Sequence, residues 1–136
     1  YLTQLNQKIN CMKKTINTKK APQAIGPYSQ AIESDGTLYI SGQVPIDPST
    51  GRVVEGGIRK QTEQVMKNIG AILAEAGYDY ADVIKSTCLL KNMDNFKDMN
   101  EIYGKYYPEN PPARAAYQVG KLPLDVMVEI ESIARK

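Results

Sequence analysis

The 136-residue chain contains no histidine and no tryptophan, and has one phenylalanine and two cysteines. Without histidine, Ser-His-Asp and Cys-His nucleophile systems in their usual forms are excluded, and so are imidazole-bound zinc sites. Acid–base chemistry then falls to carboxylates, Lys, Tyr, Cys or ordered water. Cys11 lies in an N-terminal stretch unlike the rest and Cys88 in a strand-like run, so no disulfide framework is implied, and a reducing, cytoplasmic setting fits. No apolar run approaches the roughly 20 residues of a membrane-spanning helix, and no secretory signal is visible. Neither charge dominates: 17 basic residues stand against 15 acidic, a net +2. Such a balance lacks the basic stripe of a nucleic-acid-binding domain, so neither nucleic acid nor membrane is expected as a partner.

The length implies one domain. Residues 1–11, YLTQLNQKINC, differ in character from the rest of the chain and read as an added or leader extension outside the fold. Met12-Lys13-Lys14 then opens a single domain, 12–136. Thr15–Thr18 is expected as a short edge strand, followed by an irregular approach, Ala21–Tyr28, punctuated by Pro22, Gly26 and Pro27. Ser29–Ser34 and Thr37–Val44 read as a hairpin about Asp35-Gly36. In its second arm Leu38 and Ile40 share one face, with Tyr39 and Ser41 on the other. Gly42 inside that strand marks a bulge or a close backbone approach, which makes Ser41-Gly42 a candidate binding edge. Asp47–Gly51 is turn chemistry.

Ile58 to Ala76 has the strongest helical periodicity, with Ile58, Val65, Met66, Ile69, Ile72, Leu73 and Ala76 on one face and Gly77 to end it. Val83–Leu90 is a strand in which Cys88 is expected to point with Ile84, Ser86 and Leu90, a small buried hydrophobe. Asp94 is the expected N-cap of a second helix running to about Tyr106, with Phe96, Met99, Tyr103 and Tyr106 as its stripe. Asn100 lies beside that stripe and needs a partner, either backbone or ligand. The order is β-β-β-α-β-α-β-β, an α+β layer of one sheet with two helices on one face. The apolar strand positions exceed what two helices cover, and the expected cover for the other sheet face is another subunit.

The last 24 residues carry the sharpest chemistry. Two strand-like runs flank a Gly120–Pro123 loop. The first, Ala113–Val119, holds Arg114 between small residues. An arginine on a rigid strand with space around it suits bidentate recognition of a planar carboxylate. The second, Val126–Ala134, holds Glu129 between Val128 and Ile130, where a buried carboxylate needs a partner or access to water. A structural Arg–Glu ion pair, or two unrelated solvent-facing residues, would produce the same pattern.

The motifs Ala24-Ile25-Gly26-Pro27-Tyr28, Ser41-Gly42-Gln43, Asn100 with Tyr103, Pro112-Ala113-Arg114 and Val128-Glu129-Ile130-Glu131-Ser132-Ile133-Ala134 together resemble the Rid family, the reactive intermediate deaminases also called YjgF-like proteins. The resemblance implies a chorismate-mutase-like α+β fold, with a mixed six-stranded sheet and two helices on one face, assembled as a homotrimer with clefts between subunits. It implies hydrolysis of 2-enamine and 2-imine acids, such as 2-aminoacrylate and 2-iminopropanoate, to 2-keto acids and ammonia, as in a 2-iminobutanoate/2-iminopropanoate deaminase. By the same resemblance Arg114 binds the substrate carboxylate and Glu129 positions the attacking water. Tyr28, Ser41, Asn100 and Tyr103 line the cleft, Gly42 supplies a backbone contact, and Ala116 offers a backbone N–H. Many members carry Ser-Cys directly after the arginine where this chain has Ala115-Ala116, a departure that bears on substrate preference. No cofactor or metal is implied. Two other classes share the residues: a small-ligand regulatory module using the same cleft without turnover, and a ribonuclease or translation inhibitor, which the missing histidine and near-neutral charge oppose.

Overall fold

Strict alternation builds the central strand. In Val128–Arg135 the residues Val128, Ile130, Ser132 and Ala134 are buried, while Glu129, Glu131, Ile133 and Arg135 face the other way. The computed structural model describes residues 13–136, so the expected extension over 1–11, Cys11 included, lies outside the described residues. Among the described residues, eight strands and two α-helices occur in the order β1 Lys14–Ile16, β2 Ala31–Ser34, β3 Thr37–Gln43, β4 Ile46–Asp47, β5 Arg52–Val53, α1 Gly57–Ala76, β6 Val83–Leu90, α2 Phe96–Lys105, β7 Ala113–Gln118 and β8 Val128–Arg135. Six strands form one mixed sheet ordered β1-β2-β3-β8-β6-β7, and β4 and β5 form a separate two-stranded ribbon. Only β6 and β7 run parallel within the large sheet. Although a short loop joins β7 to β8, β6 lies between them.

Both helices pack on one face, and the α+β layer expected from the sequence is the fold adopted. Val65, Met66, Ile69, Ile72 and Leu73 of α1 and Met99 and Tyr103 of α2 share one core with Leu38, Cys88, Leu90, Val128 and Ile130 of the sheet. In that core Ser86 and Ser132, directly opposed on β6 and β8, bond hydroxyl to hydroxyl at 2.9 Å. Among the described residues no helix covers the other sheet face, and Tyr39 and Tyr117 on it are each 50% exposed. Among the described residues, no helix is long and apolar enough to cross a membrane.

Four local expectations are corrected. The first strand ends at Ile16, because the buried Gln30 amide takes over Thr18: the Thr18 N–H donates to Oε1 at 2.7 Å, and Nε2 donates to the Thr18 carbonyl at 3.0 Å. Asp94 does not cap α2. It lies inside a 3-10 turn, Met93–Asn95, whose cap is Asn92, with Oδ1 accepting from Asp94 N–H at 2.8 Å. Ile84 does not point with Cys88: a register shift between Val83 and Lys85 leaves it 49% exposed and buries Val83 instead. The Asp47–Gly51 turn also does more than expected, closing the β4–β5 ribbon with Asp47 Oδ1 accepting from the Ser49 N–H and hydroxyl.

Candidate active site

The site residues expected from the sequence fall into two groups on opposite faces of the sheet. The first lies on the helix face at the β7 edge. Arg114 is paired in register with buried Ser86, and its side chain runs under α2. Its Nη1 donates to Asn100 Oδ1 at 2.7 Å. The guanidinium carbon lies 5.0 Å from the Tyr103 ring centre and 5.4 Å from that of Phe96, within cation–π range of both. Asn100 and Tyr103 thus come from adjacent turns of α2, and Phe96 from the turn before. Burial holds the Tyr103 phenol above its ordinary pKa, so it stays neutral and offers a flat π surface. The Asn100 amide oxygen thus takes the guanidinium as its partner and orients the arginine. Ala116 comes next on the same face of β7, half-buried against the core beside Cys88. Burial pushes the Cys88 thiol up to about 11, against the opposing charge of Arg114, and the residue is an inert core filler.

The second group lines a cavity of about 470 Å³ on the other face, where Tyr28, Ser41, Gly42 and Glu129 meet. The β3–β8 register shifts between Ile40 and Gln43, so the expected bulge is present. Ser41 is fixed within it twice: its N–H donates to the Gln30 carbonyl at 2.9 Å and its hydroxyl to the Ser29 carbonyl at 2.6 Å. The hydroxyl oxygen keeps acceptor capacity toward the cavity. A Cβ at Gly42 would overlap Glu129 Oε2, so only glycine lets the carboxylate lie against the β3 backbone. Tyr28 comes after a tight turn in which its N–H donates to the Gly26 carbonyl at 2.8 Å, and it stands half exposed.

Glu129 has no cation against it among the described residues. Burial holds its carboxyl above the ordinary value, and the negative charge of Glu131, two residues along the same strand face, adds to the rise. The expected alternative of a structural Arg114–Glu129 ion pair is therefore excluded within the chain. Neither residue takes part in an ion pair among the described residues. No group of three acidic or thiol side chains among them is placed to hold a metal ion.

Sequence reasoning missed Phe96 as a wall of the arginine site, and Glu131 and Leu124 as walls of the cavity. Phe96 was legible only as stripe. Glu131 was legible through its i,i+2 spacing from Glu129, which places both on one strand face. Leu124 left no periodic signal, because its position depends on a turn.

The family model described as endoribonuclease L-PSP matches residues 18–136. The chain belongs to that family, whose members also carry the RutC and Rid names. It is 55% identical, over 92% of its length and 99% of the relative's, to a RutC family protein of Pyrococcus horikoshii. It is 54% identical to the mouse 2-iminobutanoate/2-iminopropanoate deaminase, over 90% of this chain and 91% of the mouse protein. Among solved structures, the Rid-family protein YyfA of Yersinia pestis superposes with a TM-score of 0.89 at 49% identity, covering 91% of this chain and 99% of that one.

Proposed function

We propose that this chain is a homotrimeric, cytoplasmic deaminase that hydrolyses 2-enamine and 2-imine acids, such as 2-aminoacrylate and 2-iminopropanoate, to 2-keto acids and ammonia. Glu129 carries this reading. It is a partly desolvated carboxylate in a small-molecule-sized cavity, pressed against glycine backbone, with a raised pKa and no cation beside it among the described residues. Such a group can accept a proton and return it. Relatives named 2-iminobutanoate/2-iminopropanoate deaminase at 50–54% identity support the substrate class.

The enamine first takes a proton at carbon and gives one up from nitrogen, becoming the imine. Arg114, pre-oriented by Asn100 and its two aromatic walls, grips the substrate carboxylate through parallel N–H donors, which fixes the imine carbon. Glu129 accepts a proton from water as the oxygen bonds to that carbon, and the C=N π pair moves to nitrogen, which takes a proton from solvent that the later loss of the O–H proton returns. The carbinolamine then collapses. Its O–H proton leaves, C=O forms, the C–N bond breaks, and Glu129 returns its proton to the departing ammonia. One water enters and one ammonia leaves, with no change of oxidation state.

Arg114 and Glu129 face away from each other within one chain, so this chemistry is assigned to a cleft between copies. A closed ring of three with head-to-tail contacts gives each pair of neighbours one such cleft. The uncovered sheet face, with a hollow of about 380 Å³ lined by Ile32, Tyr39, Lys85, Thr87 and Ile133, supplies apolar area for assembly. The family's ribonuclease description names a different substrate. Glu129 and Glu131 both line the cavity, and two carboxylates there repel a phosphodiester.

The test is release of ammonia and 2-keto acid from 2-aminoacrylate generated enzymatically in the assay, with light scattering for the trimer. Arg114→Lys keeps the charge but not the planar fork. It is expected to lower kcat/KM by about 2–5 kcal/mol in barrier, roughly thirty-fold or more. Full activity in folded Arg114→Lys removes the arginine from substrate binding. No acceleration by the wild type removes the deaminase reading.

A further inference from the structure

Three large apolar side chains stand in the open around the Glu129 cavity: Ile25 at 84% exposure, Leu124 at 62% and Tyr28 at 50%. Leu124 is held there in a conformation that leucine rarely adopts, φ 56° and ψ 18°, and Asp125 is next at φ 55°. This region crowds the Cβ of any L-residue, and it persists where the surroundings over-determine it. The surroundings here are specific. Leu122 and Val126 are buried on either side of the turn. Pro123 fixes its own φ. The Asp125 and Val126 N–H groups donate to the Leu122 and Pro123 carbonyls at 3.1 and 3.2 Å. Lys91 Nζ holds the Asp125 carboxylate at 3.0 Å. The turn maintains an unfavourable backbone, and the result is an isobutyl group presented to the cavity instead of the core.

The remaining geometry says what that group meets. With the substrate carboxylate on Arg114 and the imine carbon at Glu129, the one substituent left on that carbon is the side chain of the parent amino acid. The cavity takes its polar lining from Glu129, Glu131, Ser41 and three glutamines, and Ile25, Tyr28 and Leu124 are among its large apolar lining groups. A cavity of about 470 Å³ leaves room beyond a methyl imine. Resting on the deaminase reading above, we infer that Leu124 and Ile25 form the side-chain subsite of this cavity. The chain then selects 2-imino acids with aliphatic side chains larger than methyl. The selection arises because each added methylene leaves water for the Leu124–Ile25 surface.

The experiment compares imines made in place by an amino-acid oxidase from leucine, methionine and alanine, with kcat/KM followed by keto-acid formation. The wild type is expected to favour the leucine-derived imine over the alanine-derived one by about tenfold. Leu124→Asn, which tolerates the left-handed backbone but is polar, is expected to erase most of that ratio, and Ile25→Ser to reduce it. The keto-acid products provide a readout without turnover: 4-methyl-2-oxopentanoate is expected to bind the wild type more tightly than pyruvate, and Leu124→Asn to level the two. Leu124→Gly relieves the backbone, so its Tm is expected to hold or rise while selectivity is lost. A Leu124 that merely packs would instead lower the Tm on replacement. An unchanged ratio in folded Leu124→Asn, or loss of the oligomer in that variant, overturns the proposal. Silence of the wild type toward every imine overturns the deaminase reading and this inference with it, whereas turnover without preference overturns the inference alone.

Discussion

Arg114 and Glu129 lie on opposite faces of one sheet, with β6 separating the strands that carry them. Under the proposed mechanism each functional site then takes its arginine from one copy and its carboxylate from another. Arg114→Ala and Glu129→Gln are each expected to be inactive alone. Mixed after dissociation and reassembly in equal amounts, they are expected to recover about one quarter of wild-type sites, the share of head-to-tail contacts that join an intact arginine to an intact carboxylate. Steady-state deamination after mixing checks this, and no recovery from co-assembled chains sinks the shared-site arrangement.

The raised pKa of Glu129 has a consequence for stability. The folded state holds the proton more tightly than the unfolded chain, so wild-type stability falls as pH rises from the ordinary carboxylate value, about 4.3, through the raised native value. Below both values the carboxyl is protonated in either state and nothing is lost. Glu129→Gln has no proton to lose. It is expected to melt above the wild type at pH 7, with the advantage shrinking to nothing as pH falls below the carboxylate range. Melting curves for the pair across that range decide the point. A variant that melts lower at pH 7 would place Glu129 in a stabilising contact instead.

Gly42 and Glu129 are expected to be coupled. Gly42→Ala places a methyl group where the carboxylate lies, so the flexible Glu129 side chain swings aside at a modest cost in stability, and the proposed proton-transfer group is displaced, with kcat falling by about an order of magnitude or more. Shortening the acid relieves the clash, so Gly42→Ala with Glu129→Asp is expected to melt above Gly42→Ala alone. A double-mutant cycle in Tm measures this, and strict additivity would contradict the contact.

Under the proposed mechanism Asn100 acts through Arg114. Asn100→Ala removes the 2.7 Å acceptor and leaves the two rings in place, so the guanidinium keeps its plane but loses its rotational anchor. Binding of the substrate carboxylate is expected to weaken, with KM rising about tenfold, kcat changing less, and the Tm nearly unmoved. Asn100→Asp restores an acceptor and is expected to recover most of the KM. A large drop in Tm would instead mark Asn100 as a structural residue.

Much of this was legible in sequence because period and burial agree. The α1 stripe, the Leu38/Ile40 face of β3 and the alternation about Glu129 each arise from side chains that have only one apolar side to hide. Three features were not legible, each for a different reason. The bulge at Ile84 reverses the facing of a residue whose chemistry alone would bury it. The Gln30 amide replaces strand pairing with side-chain bonds, which no propensity registers. The partition of the site between two faces depends on strand order, and strand order is long-range: Val128–Arg135 comes after Ala113–Gln118 in the chain, yet pairs with β3 and β6.

The alternation in β8 also constrains how the chain can go wrong. A slip of one residue against β3 and β6 would carry Glu129, Glu131 and Arg135 into the apolar interior, send Val128, Ile130 and Ala134 outward, and part Ser132 from Ser86. Burying charges there without partners is prohibitive. A carboxylate proposed for proton transfer therefore also discriminates during assembly, because misaligned chains cannot close their core around it.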